Sequence, residues 1–148
     1  MMCFIELYFE GKKIKIKALI DSGNMLKEPI SGYTVIVVER DKIEQILPSK
    51  LIKLINNIER GEQKEQEINE FSRKIRLIPF SSLGKQNGML IGIKMEKIKI
   101  DFKDTAIYVN NVIAGIYNKK LTKENKYNAL IGIGLIGESE ENEYISSY

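Results

Sequence analysis

The sequence predicts an all-β fold, a barrel or a sandwich, formed by a single domain spanning residues 1–148. Three observations predict it. Ile, Val, Tyr and Phe alternate with polar residues at a period of two along most of the chain. Brief turn-forming groups separate these runs. Only one stretch has helical spacing. The strands are expected at 4–9, 13–20, 34–38, 76–80, 89–95, 97–102, 106–116 and 129–133, with a tight hairpin turn at Glu10-Gly11-Lys12 between the first two. Leu51, Leu54, Ile55 and Ile58 fall on one face of a short helix, for which Ser49 is the expected N-cap and Gly61 the C′ residue. A turn at 41–47 precedes it. Segment 59–74 is rich in Glu, Lys, Gln and Arg and reads as a solvated connection. The acidic tail 138–148 is expected to be frayed and flexible.

Composition narrows the chemistry. With 23 basic and 20 acidic residues the net charge is +3, too even to indicate nucleic acid. The Lys residues of 12–17 alternate with Ile, as on the wet face of a sheet. One cysteine and no histidine leave no disulfide framework and fit a reducing compartment. Ser-His-Asp and Cys-His catalysis cannot be built from this chain, and most zinc sites lose their usual ligand. Neither a metal nor a small-molecule cofactor is expected. No apolar run reaches the roughly 18 residues that span a bilayer, and Met1 to Ile5 lacks the features of a signal peptide. A soluble domain is the expectation.

The sharpest motif is Ala18-Leu19-Ile20-Asp21-Ser22-Gly23-Asn24, an apolar strand running into Asp-Ser-Gly. Two readings are open. One is an Asx-type turn at a strand end. The other is an aspartic peptidase, in which two carboxylates share one proton and hold a water. There Ser22 supplies a hydroxyl to lock the turn and Gly23 lets backbones approach closely. Three further features favour the second. Residues 77–93 place two apolar arms around a polar tip, the pattern of a long hairpin able to act as a flap. Ala129-Leu130-Ile131-Gly132 is a late apolar strand ending in Gly; Gly132 and Gly134 lack the strand–helix setting of a phosphate loop. The chain carries one Asp-Ser-Gly while the chemistry needs two carboxylates, so a symmetric homodimer is expected.

Leu19-Ile20-Asp21-Ser22-Gly23-Asn24, a flap-like hairpin and Ala129-Leu130-Ile131-Gly132 together resemble the retropepsin-type aspartic peptidases. Ile20-Asp21-Ser22-Gly23-Asn24-Met25-Leu26-Lys27-Glu28-Pro29, Ile78-Pro79-Phe80-Ser81-Ser82-Leu83-Gly84 and Gly88-Met89-Leu90 resemble more closely the C-terminal domain of the sporulation sigma-E factor processing peptidases, over nearly the whole chain. That resemblance implies a retropepsin-like barrel with one short helix, acting as a homodimer. It implies an endopeptidase that removes the N-terminal pro-segment of pro-sigma-E. It also implies a peptidase domain on the cytoplasmic, mother-cell side of the membrane at the sporulation septum, joined to an N-terminal membrane domain that receives a signal protein from the forespore. By position, Asp21 is the catalytic carboxylate, and Ser22 and Gly23 support the loop and meet the partner's turn. Asn24, Ser82, Leu83 and Gly84 contact substrate; Leu130, Ile131 and Gly132 lie behind the catalytic loop. Gly132-Ile133-Gly134 differs from some relatives, and the helix near Leu51 to Ile58 has no counterpart in the small viral enzymes. The competing expectations are a non-catalytic peptide-binding module and a dimerisation domain of a membrane-linked signalling protein.

Overall fold

A computed structural model describes residues 1–23, 26–62, 70–80, 88–132 and 134–136. The chain begins with a hairpin. Strand β1 (Met2–Phe9) pairs antiparallel with β2 (Lys12–Asp21) around a two-residue turn in which Glu10 and Gly11 both have positive φ, 46° and 79°. That is the turn geometry matching the twist of paired strands. Period-two patterning buries Cys3, Ile5, Leu7 and Phe9 and turns Phe4, Glu6 and Tyr8 outward.

The remaining elements are β3 (Thr34–Glu39), α1 (Arg40–Ile43), α2 (Ser49–Glu59), β4 (Ile75–Phe80), β5 (Gly88–Lys94), β6 (Lys97–Phe102), β7 (Thr105–Val109), β8 (Val112–Tyr117) and β9 (Ala129–Gly132). The strands form one sheet in the order β4-β5-β8-β3-β9-β2-β1-β6-β7. The fold is mostly β, as expected, but the helical content exceeds a single helix. Arg40–Ile43 is helical where a turn was expected, a 3₁₀ turn occupies Ser72–Lys74, and a helical turn covers 134–136.

The expected single strand over 106–116 is two strands, β7 and β8. The partner of Ile93 is Ala114 and that of Ile98 is Val109, so one register continues through both pairs. β5–β6 and β7–β8 are thus the two arms of one long hairpin, bent between Lys94 and Lys97 and between Val109 and Val112. The period-two pattern shifts phase at this bend: Ile107 and Val109 face the main core before it, and Val112, Ala114 and Ile116 after it. The bend is held by Lys94, whose Nζ donates to the carbonyls of Met95 and Asn110, each at 2.7 Å. Burial, joined by the nearby positive charges of Arg76 and Lys74, pushes its ammonium below the usual lysine range. One half of the hairpin pairs with β1 and the other with β3, at opposite ends of the strand order, so the sheet curls back on itself.

The main core lies between the inner sheet face and the helices, with Leu51 and Ile55 of α2 and Ile43 of α1 among its members. Pro48, not Ser49, takes the N-cap of α2; Ser49 is its first helical residue. Pro48 has the extended conformation an N-cap requires (ψ 147°), so the cap is set by backbone and not by a hydroxyl. At the other end Gly61 occupies C′ with φ 68°. The Gly61 and Glu62 amides donate to the carbonyls of Ile58 and Asn57, closing a Schellman motif. Phe71 is buried in the core, so the 59–74 connection is anchored at that residue and not solvated throughout.

Candidate active site

Alternation along β2 turns Ile16 and Ala18 into the core and places Lys13, Lys15, Lys17, Leu19 and Asp21 on the opposite face. Asp21 is the last residue of β2 and half-buried; Ser22 and Gly23 are exposed. Asp21 Oδ1 accepts the Gly23 N–H at 2.9 Å, closing an Asx-type turn. Both readings of the motif are therefore served by one geometry. The turn occupies one carboxylate oxygen, and Oδ2 accepts no hydrogen bond from the described residues.

β9 runs parallel to β2, with Leu19 opposite Leu130, Ile20 opposite Ile131 and Asp21 opposite Gly132. Leu130 is half-buried, Ile131 and Gly132 buried. Gly132 places no side chain beside the carboxylate. On its other side β9 pairs antiparallel with β3, through Leu130 with Val37 and Ala129 with Val38. The approach to β9 is fixed by Glu39, whose side chain is fully buried. Its carboxylate accepts the Leu121 N–H at 2.7 Å and the Asn128 side-chain amide at 3.0 Å, with Lys120 Nζ at 3.5 Å. The Glu39 N–H donates in turn to the Asn128 carbonyl.

Beyond Gly23, the Leu26 to Glu28 stretch returns alongside β3: Val35 N–H donates to Leu26 O, and Lys27 bridges Thr34. Glu28 is buried in the turn that follows. Its carboxylate accepts the Ser31 N–H at 2.8 Å and the Ile30 N–H, and meets Arg76 Nε of β4 at 3.2 Å. The Ser31 amide, helped by the Ile30 amide and the Arg76 guanidinium, holds this carboxyl below its ordinary 4.5 despite burial. The ionised form therefore favours the fold. That stability is fully present above pH 4.5 and is lost as pH falls through the lower folded-state value. We expect Glu28→Gln to lower the denaturation midpoint at pH 7 and to converge on the parent as pH drops below 4.5, read from urea titrations across that range.

The arms of the expected hairpin are β4 and β5, paired from Ile75 with Ile93 to Phe80 with Gly88. Ile78 and Leu90 pack with Leu26, Tyr33, Val35 and Ile113 in a second, smaller cluster. The hairpin base therefore shares a core with Leu26, three residues after Gly23. Gly92 is required there, because a Cβ would collide with Ile78 Cδ1 and lie 2.6 Å from Ile113 Cγ2. Asn24, Ser82, Leu83 and Gly84 fall outside the described residues.

Sequence reasoning missed Glu28, Arg76, Glu39 and Asn128. Glu39 and Asn128 are 89 positions apart, and a lone charged residue next to a strand reads as solvated. Other reactive groups are spent or inert. Arg40 is bound by Glu44, Glu59, Asn56 and Asn118. Cys3 is buried, and burial pushes its thiol up, away from the nucleophilic thiolate. Among the described residues no group of three His, Cys, Asp or Glu could hold a metal ion.

The family model described as sporulation factor SpoIIGA matches residues 1–135. The chain is similar to the sporulation sigma-E factor-processing peptidase of Priestia megaterium, 30% identical over 132 residues, which are 89% of this chain and 43% of that protein. It is similar to the counterpart in Bacillus subtilis strain 168, 32% identical over 123 residues, covering 82% and 40% respectively. It is 27% identical over 127 residues to a putative sporulation sigma factor-processing peptidase of Bacillus thuringiensis subsp. kurstaki, covering 86% of this chain and 79% of that protein. The chain thus spans less than half the length of the first two. No solved structure matches it.

Proposed function

The chain belongs to the sporulation factor SpoIIGA peptidase family, and on that footing we propose that it is an aspartic endopeptidase domain that cleaves the pro-segment from a sporulation sigma factor precursor. The observation that carries the aspartic assignment is Asp21, on the outward face at the end of an apolar strand, with one carboxylate oxygen held by its own turn and the other unbonded among the described residues. The parallel Leu130-Ile131-Gly132 strand beside it and the hairpin base sharing a core with Leu26 support the same reading. With no histidine in the chain and Cys3 buried, carboxylate chemistry is the hydrolytic route these residues favour.

In this reading Asp21 of two chains meets across a two-fold axis, as in a retropepsin-like barrel dimer. The two carboxylates share a proton, because adjacent like charges resist double ionisation. The ionised one takes a proton from water as the water oxygen bonds to the scissile carbonyl carbon. The protonated one gives its proton to the carbonyl oxygen. The tetrahedral diol then collapses: the first carboxyl, now protonated, gives its proton to the peptide nitrogen, the second carboxylate takes a proton from a diol hydroxyl, the C–N bond breaks and the carbonyl re-forms. Ser22 and Gly23 are proposed to make the contact between the two turns. Asn24 and residues 82–84 would hold the substrate main chain.

The sigma factor precursor is assigned as substrate from the names of the relatives. Association with a membrane, and activation through it by a second protein, are proposals for the longer protein of which this chain would be a part. Among the described residues no helix is long and apolar enough to cross a membrane. Two-subunit catalysis has a direct test: cleavage of a pro-segment peptide, followed by mass spectrometry, against chain concentration. Activity per chain is expected to rise with concentration and then level, in step with the mass in solution. Constant activity per chain while the protein remains monomeric would reject the shared site.

A further inference from the structure

The outward face of β2, β1, β6 and β7 carries Lys13, Lys15, Lys17, Lys97 and Lys99 around two carboxylates, Glu6 and Asp101, with Asp21 at the end of the β2 row. Register sets them side by side. Phe4, Glu6 and Tyr8 lie opposite Lys17, Lys15 and Lys13 on one flank, and opposite Asp101, Lys99 and Lys97 on the other. Both carboxylates are engaged: Glu6 accepts the Tyr8 hydroxyl at 2.7 Å, and Asp101 meets Lys99 at 3.6 Å. Among the described residues, Lys99 is the one amine of the five that is ion-paired. Lys15 and Lys17 stand 5.0 and 5.6 Å from the centre of the Phe4 ring, and Lys97 and Lys13 stand 4.7 and 6.0 Å from that of Tyr8. Such contacts steady an amine without neutralising it.

We propose that this face is a docking strip for an extended polypeptide segment rich in Glu or Asp, laid along β2 toward Asp21. Three facts point to such a segment. Lys13, Lys15, Lys17 and Asp21 share one face of one strand, so an occupant of the row runs toward the candidate carboxylate. The lysines recur every second residue, about 6.7 Å apart, the interval at which an extended chain presents side chains on one side. The rings are covered by amines, and the Tyr8 hydroxyl is tied to Glu6, which leaves poor platforms for stacked bases. The inference rests on the peptidase reading only for the identity of the segment, a part of the substrate chain beyond the cleaved bond. Lys17 lies four positions before Asp21, about 13 Å along the strand. The acidic residues would therefore begin roughly four residues from that bond.

The test uses the ¹⁵N-labelled chain carrying Asp21→Asn, so that binding is read apart from hydrolysis. The probe is an octapeptide of alternating Glu and Ser. We expect amide shifts concentrated in β1, β2 and β6, and binding that weakens with added salt. The triple variant Lys13→Gln, Lys15→Gln, Lys17→Gln should weaken binding by about tenfold or more. An absence of shifts, binding unchanged in the triple variant, or equal binding of a Gln-Ser octapeptide would overturn the proposal. So would tighter binding at this face of a single-stranded RNA oligomer or of anionic phospholipid vesicles. If the parent chain fails to cleave any peptide, the hydrolytic reading falls while this titration still decides the strip.

Discussion

Replacing Asp21 by Asn is expected to abolish peptide cleavage, by about 10⁴-fold or more, while leaving the fold intact. The loss is large because a symmetric site takes its acid and its base from the same position, so one substitution removes both. Asn keeps the side-chain oxygen that accepts the Gly23 amide at 2.9 Å, so the turn at the end of β2 survives. Thermal midpoint and amide exchange in β2 should match the parent. Mixing provides an internal check. If subunits pair at random, an equal amount of the Asn chain lowers activity per parent chain to about half. A variant that still turns over substrate, or a mixture in which parent activity is unaffected, would remove Asp21 from the proposed chemistry.

The second large effect is on stability. Glu39→Leu should cost about 3 kcal/mol, because the half-buried Leu121 amide loses its acceptor and the buried Asn128 side-chain amide keeps only Asn125 Oδ1, at 2.6 Å. For a chain of this size that corresponds to a drop of about 9 °C in midpoint. Lys120 is half-exposed and also paired with Asp41 at 2.5 Å, so its loss should matter little. The contrast separates a buried acceptor from a surface ion pair. The damage should also travel. Asn128 leads directly into Ala129–Gly132, so amide exchange in β9, beside Asp21, should quicken more than in the distant β6–β7 pair. A loss below 1 kcal/mol would show that water replaces the carboxylate without penalty.

Different parts of the molecule were legible to different degrees. The strands that bury one face, such as β1 and β2, were readable because each side chain's orientation follows from its neighbour's. Gly61 was readable at C′ because a left-handed residue is needed there. Pro48 was overlooked as an N-cap because no side-chain bond marks it. The bend between β7 and β8 was missed although the core-facing positions shift phase there, from Ile107 and Val109 to Val112, Ala114 and Ile116 across the exposed Asn110 and Asn111. In the candidate site, Asp21, Ser22 and Gly23 stood out as a contiguous motif. Glu28 did not, because its partner Arg76 comes from another strand, and burial turns an ordinary surface charge into a structural acceptor.

Local chemistry alone determined the mostly β character, the exclusion of histidine-based catalysis and the position of Asp21 at a strand end. These depend on residue type and on spacing of a few positions. Only the tertiary structure decided that β9 inserts between β2 and β3, parallel to the first and antiparallel to the second, that Gly132 stands opposite Asp21, and that buried Glu28 and Glu39 tie remote segments to the loop. Those arrangements join residues tens of positions apart. They are selected by the shared burial of many side chains and by the cost of leaving a buried polar group unpaired, which no short stretch of sequence records.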